Sequence, residues 1–127
     1  MKLNILLLLS VLFCVGNCQS CLDPNGKVVD WWVTLLYPGS VPGGFGYLDS
    51  TYTAPSFVLY SNEPDAAGAP LYRTLQQIND QSLQTAAWND EMPNGTTSST
   101  KAHSKGVLAF KQSTMKGFFL CHSIPQY

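Results

Sequence analysis

The chain has 127 residues, enough for one small domain, and after its first residues no stretch reaches the ~20 consecutive apolar residues that a transmembrane helix needs. No helical membrane span is expected within these residues. The net charge of −1 conceals an asymmetry: between Gln19 and Glu91 eight acids face only Lys27 and Arg73, whereas from Met92 to Tyr127 there are four lysines, both histidines and no acid. That carboxy-terminal stretch could form a basic surface that strengthens on acidification and favours a polyanion, unless the two halves interleave in space and cancel.

Taken in order, the chain opens with Lys2 as the only charge before an apolar run from Leu3 to Val15, closed by the small residues Gly16 and Cys18. This is the layout of a secretory signal peptide, so residues 1–18 are expected to be removed, leaving 19–127 as one secreted or lumenal domain. Two cysteines would then remain. Cys21 and Cys121 could pair in an oxidising compartment, or Cys121 could be a buried free thiol; the residues allow both.

Cys21 to Val28 reads as a turn on Asp23-Pro24-Asn25-Gly26, and the β-branched and aromatic stretch from Val29 to Tyr37 reads as a central strand. Pro38 to Gly46 is a loop. Phe45–Thr51 and Phe57–Tyr60 are short strands, and residues 62–70 form a second loop. Leu71, Leu75 and Ile78 at i, i+4 and i+7 predict a helix over 71–78 that packs one face on the sheet. Leu83–Trp88 reads as a strand, followed by a patternless polar run from Asn94 to Thr100 that contains the glycosylation sequon Asn94-Gly95-Thr96. Lys105–Phe110 and Gly117–Ser123 then form an antiparallel pair that places His122 in the same sheet as Lys105. The expected class is α/β, a strand-rich mixed sheet with few helices, and its apolar edge calls for a partner.

Chemistry concentrates at Lys101-Ala102-His103-Ser104-Lys105-Gly106. With His103 extended just ahead of a strand, His103 and Lys105 are two apart and project to one side. An imidazole can be nucleophile or acid/base near neutral pH, and a neighbouring ammonium can hold an anion, which suits attack on a phosphate ester. The same triplet also arises wherever a polar loop enters a strand.

An ordered series of blocks carries a resemblance: Val29-Asp30-Trp31-Trp32-Val33 after Cys21, Tyr47-Leu48-Asp49, Thr74-Leu75, Trp88-Asn89-Asp90-Glu91-Met92-Pro93, His103-Ser104-Lys105-Gly106-Val107, and Gly117-Phe118-Phe119-Leu120-Cys121-His122-Ser123-Ile124-Pro125. Together they resemble the amino-terminal part of deoxyribonuclease II. The resemblance implies a phospholipase-D-like half-domain in which two halves each bring a His-x-Lys element to one active site. It implies DNA as the substrate and metal-independent, cofactor-free hydrolysis to 3′-phosphate ends. His103 would be the catalytic imidazole, Lys105 the phosphate clamp and His122 a site-adjacent group. It also implies a lysosomal or secreted location and, for Cys21, a partner beyond residue 127. The chain departs from the family in lacking a second His-x-Lys and in carrying Lys111 where an acid is usual. A homodimer or a separate carboxy-terminal half would therefore be needed to complete the site. The competing expectation is a catalytically inactive fragment that binds nucleic acid.

Overall fold

A computed structural model describes residues 11–16, 20–36, 44–90 and 104–123. Among these residues the elements are β1 (Val11–Gly16), β2 (Cys21–Leu22), β3 (Val28–Val29), β4 (Trp31–Leu36), β5 (Phe45–Asp49), β6 (Val58–Tyr60), α1 (Pro70–Gln76) with a 3₁₀ turn over Gln77–Asn79, β7 (Gln84–Trp88), β8 (Lys105–Lys111) and β9 (Lys116–His122). The strand-rich mixed class expected from the sequence is the one observed. Seven strands form one sheet in the order β6-β5-β4-β1-β9-β8-β7, each pair antiparallel, and β2-β3 form a separate ribbon.

The strand expected across Val29–Tyr37 is broken at Asp30 into β3 and β4. The cause is a contact from 20 residues away: the Asp30 amide donates to Ser50 Oγ at 3.0 Å, and the Ser50 amide donates back to the Trp31 carbonyl at 3.0 Å, so the chain bends toward the end of β5. Strands β5 to β9 lie within a residue or two of their expected places, whereas β1 falls in the stretch read as a leader and β2 in the stretch read as a turn. β7 is an edge strand exposed along its length.

Alternation sorts the side chains of the sheet. On one face Trp32, Thr34, Val107, Ala109, Phe118 and Leu120 are buried. On the other, Trp31, Leu108 and Phe119 remain open. They share a row, because Trp31 and Phe119 both pair with Val15 and Leu108 pairs with Phe119.

Helix α1 covers the buried face. It begins at Pro70, whose missing N–H costs nothing in a first turn, and it buries Leu71, Thr74 and Leu75 in the main core. Ile78, expected on that face, is partly open because the chain has tightened into the 3₁₀ turn.

Three polar contacts lock the helix to the rest of the domain. Thr74 Oγ1 accepts from the Leu22 amide at 3.1 Å and from Trp32 Nε1 at 3.3 Å. Gln77 clasps the Ser20 backbone through both ends of its amide, and Arg73 Nε donates to the carbonyls of Pro24 and Gly68. Removing the Thr74 hydroxyl leaves two buried donors unmet, each costing about 1–3 kcal/mol. Thr74→Val is therefore expected to lower the unfolding free energy in urea by roughly 2 kcal/mol or more, with Thr74→Ser retaining most of it.

Candidate functional site

The end of β7, the start of β8 and the end of β9 meet at one end of the sheet. Register places Lys105 directly opposite His122 and Gly106 opposite both Trp88 and Cys121. Lys105 and His122 share the buried face with Val107 and Leu120. The shared sheet expected for Lys105 and His122 is thus a direct cross-strand pairing. His103, Lys101 and Asn94 lie outside the described residues.

Lys105 is 1% exposed, and its Nζ donates to Asp90 Oδ1 at 2.6 Å, with the Asp90 side chain 4% exposed. Burying an ammonium requires a partner, and Asp90 arrives because β7 pairs with β8 and delivers the residue just past its end. No role for Asp90 was legible beyond its place in the Trp88–Pro93 block; the available signal was an acid closely following an apolar strand.

His122 is 5% exposed. Burial first, and the nearby Lys105 charge second, pull its pKa down to about 4. The imidazole is therefore neutral at pH 5.

Gly106 is the floor of this corner. A Cβ there would meet Trp88 Cζ2 at 2.3 Å and the Leu120 carbonyl oxygen at 2.5 Å. The indole lies across the glycine, stacks on Phe119 with centroids 5.7 Å apart, and donates from Nε1 to Ser104 Oγ at 3.1 Å. Beside it a mostly apolar cleft of about 260 Å³ is lined by Leu75, Ile78, Trp88, Val107 and His122 among others.

Two lysines of the basic carboxy-terminal stretch meet acids from the other half of the chain, the interleaving alternative. Lys105 is buried against Asp90, and Lys111 bonds Asp80 at 3.2 Å. Ser82 hydroxyl and amide donors, followed by Lys111, hold the Asp80 carboxyl down at about 2. The two halves of the chain interleave here because β7, from the acidic half, is laid beside β8, from the basic half.

The larger cleft, of about 530 Å³, is elsewhere and has the wrong sign for phosphate. Asp23 and Asp49 line it together with Tyr47, Tyr52 and Tyr60. Burial and these two carboxylates raise the pKa of all three phenols, and Tyr47 Oη donates to Asp49 Oδ2 at 2.8 Å.

A bridge between Cys21 and Cys121 is not formed. Cys121 is a free, half-buried thiol, whereas Cys21 is fully buried and disulfide-bonded to a cysteine outside the described side chains. Strand alternation accounts for the separation: Cys121 points away from the face of His122 and Leu120, and Cys21 joins the core on that face.

These features define a strand-rich α/β domain with a buried Lys–Asp pair and a buried histidine, His122, opposite that lysine. Family comparison is specific. The deoxyribonuclease II family matches residues 20–127, and the chain belongs to that family. It is 33% identical to cell death-related nuclease 6 of Caenorhabditis elegans, over 98% of this chain and 35% of that protein. It is 29% identical to deoxyribonuclease-2-alpha of Rattus norvegicus, over 96% of this chain and 38% of that protein. Against deoxyribonuclease-2-beta of Homo sapiens the identity is 32%, over 85% of this chain and 33% of that protein. The chain thus spans a little over a third of the length of the first two of these relatives. No solved structure matches it.

Two outcomes follow from the electrostatics. Asp90→Ala removes the carboxylate from beside a buried ammonium and is expected to cost about 3–5 kcal/mol in denaturant unfolding, far more than Asp80→Ala at the exposed Lys111 pair. Because the folded-state pKa of His122 lies below its unfolded value of about 6.5, its contribution to stability is complete above pH 6.5 and is lost as pH falls toward 4. His122→Gln should flatten the stability profile across that window by on the order of 3 kcal/mol relative to the parent chain, and an unchanged slope would remove the assignment.

Proposed function

We propose that this chain carries the amino-terminal half-site of an acid endodeoxyribonuclease of the deoxyribonuclease II type, acting on DNA phosphodiesters to leave 3′-phosphate ends. The observation that carries this reading is the family match over residues 20–127, which takes in the whole His103-Ser104-Lys105-Gly106 element. In this reading His103 attacks phosphorus to form a phosphohistidine, a second imidazole protonates the leaving 5′ oxygen, and water then releases the 3′-phosphate. One imidazole must be neutral and the other charged, which favours a pH near or below about 6.5. His122, neutral at pH 5, is unsuited to donate that proton and stays a site-adjacent group.

The second imidazole therefore comes from outside one copy of this chain. A homodimer that juxtaposes two copies of His103, or a carboxy-terminal half in the arrangement of a phospholipase-D-like fold, would supply it. Lys105, held inward by Asp90, supports the reading that the site is completed on association, with its ammonium shared between Asp90 and phosphate. Removal of residues 1–18 would place the domain in a secreted or lysosomal compartment, with Asn94 glycosylated on the way.

A second reading is a fragment that binds nucleic acid through the lysines of its 101–116 stretch without cutting it. Plasmid cleavage at pH 5 with a chelator present separates the two. Nicking that disappears in His103→Ala, while the variant keeps the parent unfolding midpoint, is expected; cleavage retained in His103→Ala would defeat the proposal. Retention of DNA by an uncut sample, falling steeply with added salt, would favour the binding reading.

A further inference from the structure

The sheet has one strand on which its continuity depends. β1 pairs with β4 from Val11↔Leu35 to Val15↔Trp31 and with β9 from Phe13↔Cys121 to Gly16↔Phe118, while β4 and β9 do not pair with each other. With strands about 4.8 Å apart, β4 and β9 are held roughly 10 Å from one another, with room for one strand between them. Yet Val11–Gly16 lies inside residues 1–18, whose layout is that of a cleavable leader.

We propose that the place of β1 is a strand-acceptor slot, and that in the mature protein an apolar strand from another polypeptide occupies it. Loss of β1 would expose facing rows of unpaired N–H and C=O groups on Trp31–Leu35 and Phe118–Cys121. Simple closure is obstructed. β1 is antiparallel to both neighbours, so β4 and β9 run parallel to each other and would have to pair in a new register. They would also have to move together beneath a helix whose Leu71 and Leu75 already pack in one core with Trp32 from one side and with Val107, Phe118 and Leu120 from the other.

The slot specifies its occupant. It takes five or six extended residues without proline, antiparallel to both β4 and β9. The strand's face toward the core must be apolar, and its other face lies in the open row of Trp31 and Phe119, which are 39% and 38% exposed. A second mature copy is a poor source: among its described residues β4 and β9 would face the same vacated gap, and every other strand of the sheet keeps its place in the order, so none is left over to donate. The matched relatives are almost three times as long as the aligned region, so a separate carboxy-terminal polypeptide of their kind has the length to supply such a strand.

The test begins with the full coding sequence secreted from eukaryotic cells and its intact mass. A product beginning at Gln19 is expected; a product that retains Val11–Gly16 would overturn the proposal, because the slot would be permanently filled. A labelled peptide of residues 9–17 with solubilising lysines then serves as the probe. It should bind one per chain and slow amide exchange at 31–35 and 118–121 by at least about tenfold, and a Phe13→Pro peptide should lose both effects. Equal protection of those amides before peptide is added, protection by dimerisation, or equal binding of the proline peptide would each overturn it. Should the secreted chain prove unfolded, the folded full chain with a protease site at residues 17–19 is cut, treated with a reductant to open the Cys21 disulfide, and offered the labelled peptide. Uptake supports an exchangeable strand, and no uptake refutes it.

Discussion

Seven strands cohere here because one short segment bonds on both sides. β1 gives its backbone to β4 and to β9, and through it the β4-β5-β6 block and the β7-β8-β9 block become one surface under one helix. The hydrophobic core inherits that dependence: Trp32, Phe45 and Tyr47 come from the first block, and Val107, Ala109, Phe118 and Leu120 come from the second. Any process that removes β1 must replace a strand or divide the core, since a central gap leaves buried backbone groups unpaired on both sides.

Charge is distributed over this frame with a definite polarity. At the β7–β9 end a lysine is buried against an aspartate, and its field together with burial keeps His122 neutral. At the β5–β6 end two carboxylates and three tyrosines line the larger cleft and make it hostile to an anion. Size alone would therefore point to the wrong cavity for a phosphate ester. The smaller corner holds Lys105 against Asp90 instead, with Trp88 lying across Gly106.

Family membership and the inward-held Lys105 together bear on how such a site would work. A lysine that spends its charge on Asp90 contributes little to long-range attraction of DNA, and Lys111 is likewise paired with Asp80. Binding of a polyanion would then depend on groups brought by association rather than on a broad basic face of this domain. The open apolar row of Trp31, Leu108 and Phe119 lies on the face opposite α1, so a partner covering it would leave the helix-side core undisturbed.

Much of the architecture was legible in the residues. β-branched and aromatic runs marked β4, β5, β8 and β9, and the Leu71-Leu75-Ile78 spacing marked α1, because these periods are local properties of the chain. His103 and Lys105 were legible as a chemical pair for the same reason: they are two residues apart. What depends on residues far apart was not legible. The break at Asp30 comes from Ser50, the partner of Lys105 comes from Asp90, and the open thiol of Cys121 comes from a strand register that turns it away from Cys21. The apolar run at the start of the chain was read from its composition as a leader, and composition carries no information about which neighbours a strand will find. Only the tertiary structure decided that Val11–Gly16 lies between β4 and β9, since pairing is set by backbone groups that every sequence shares and by the space the folded neighbours leave open.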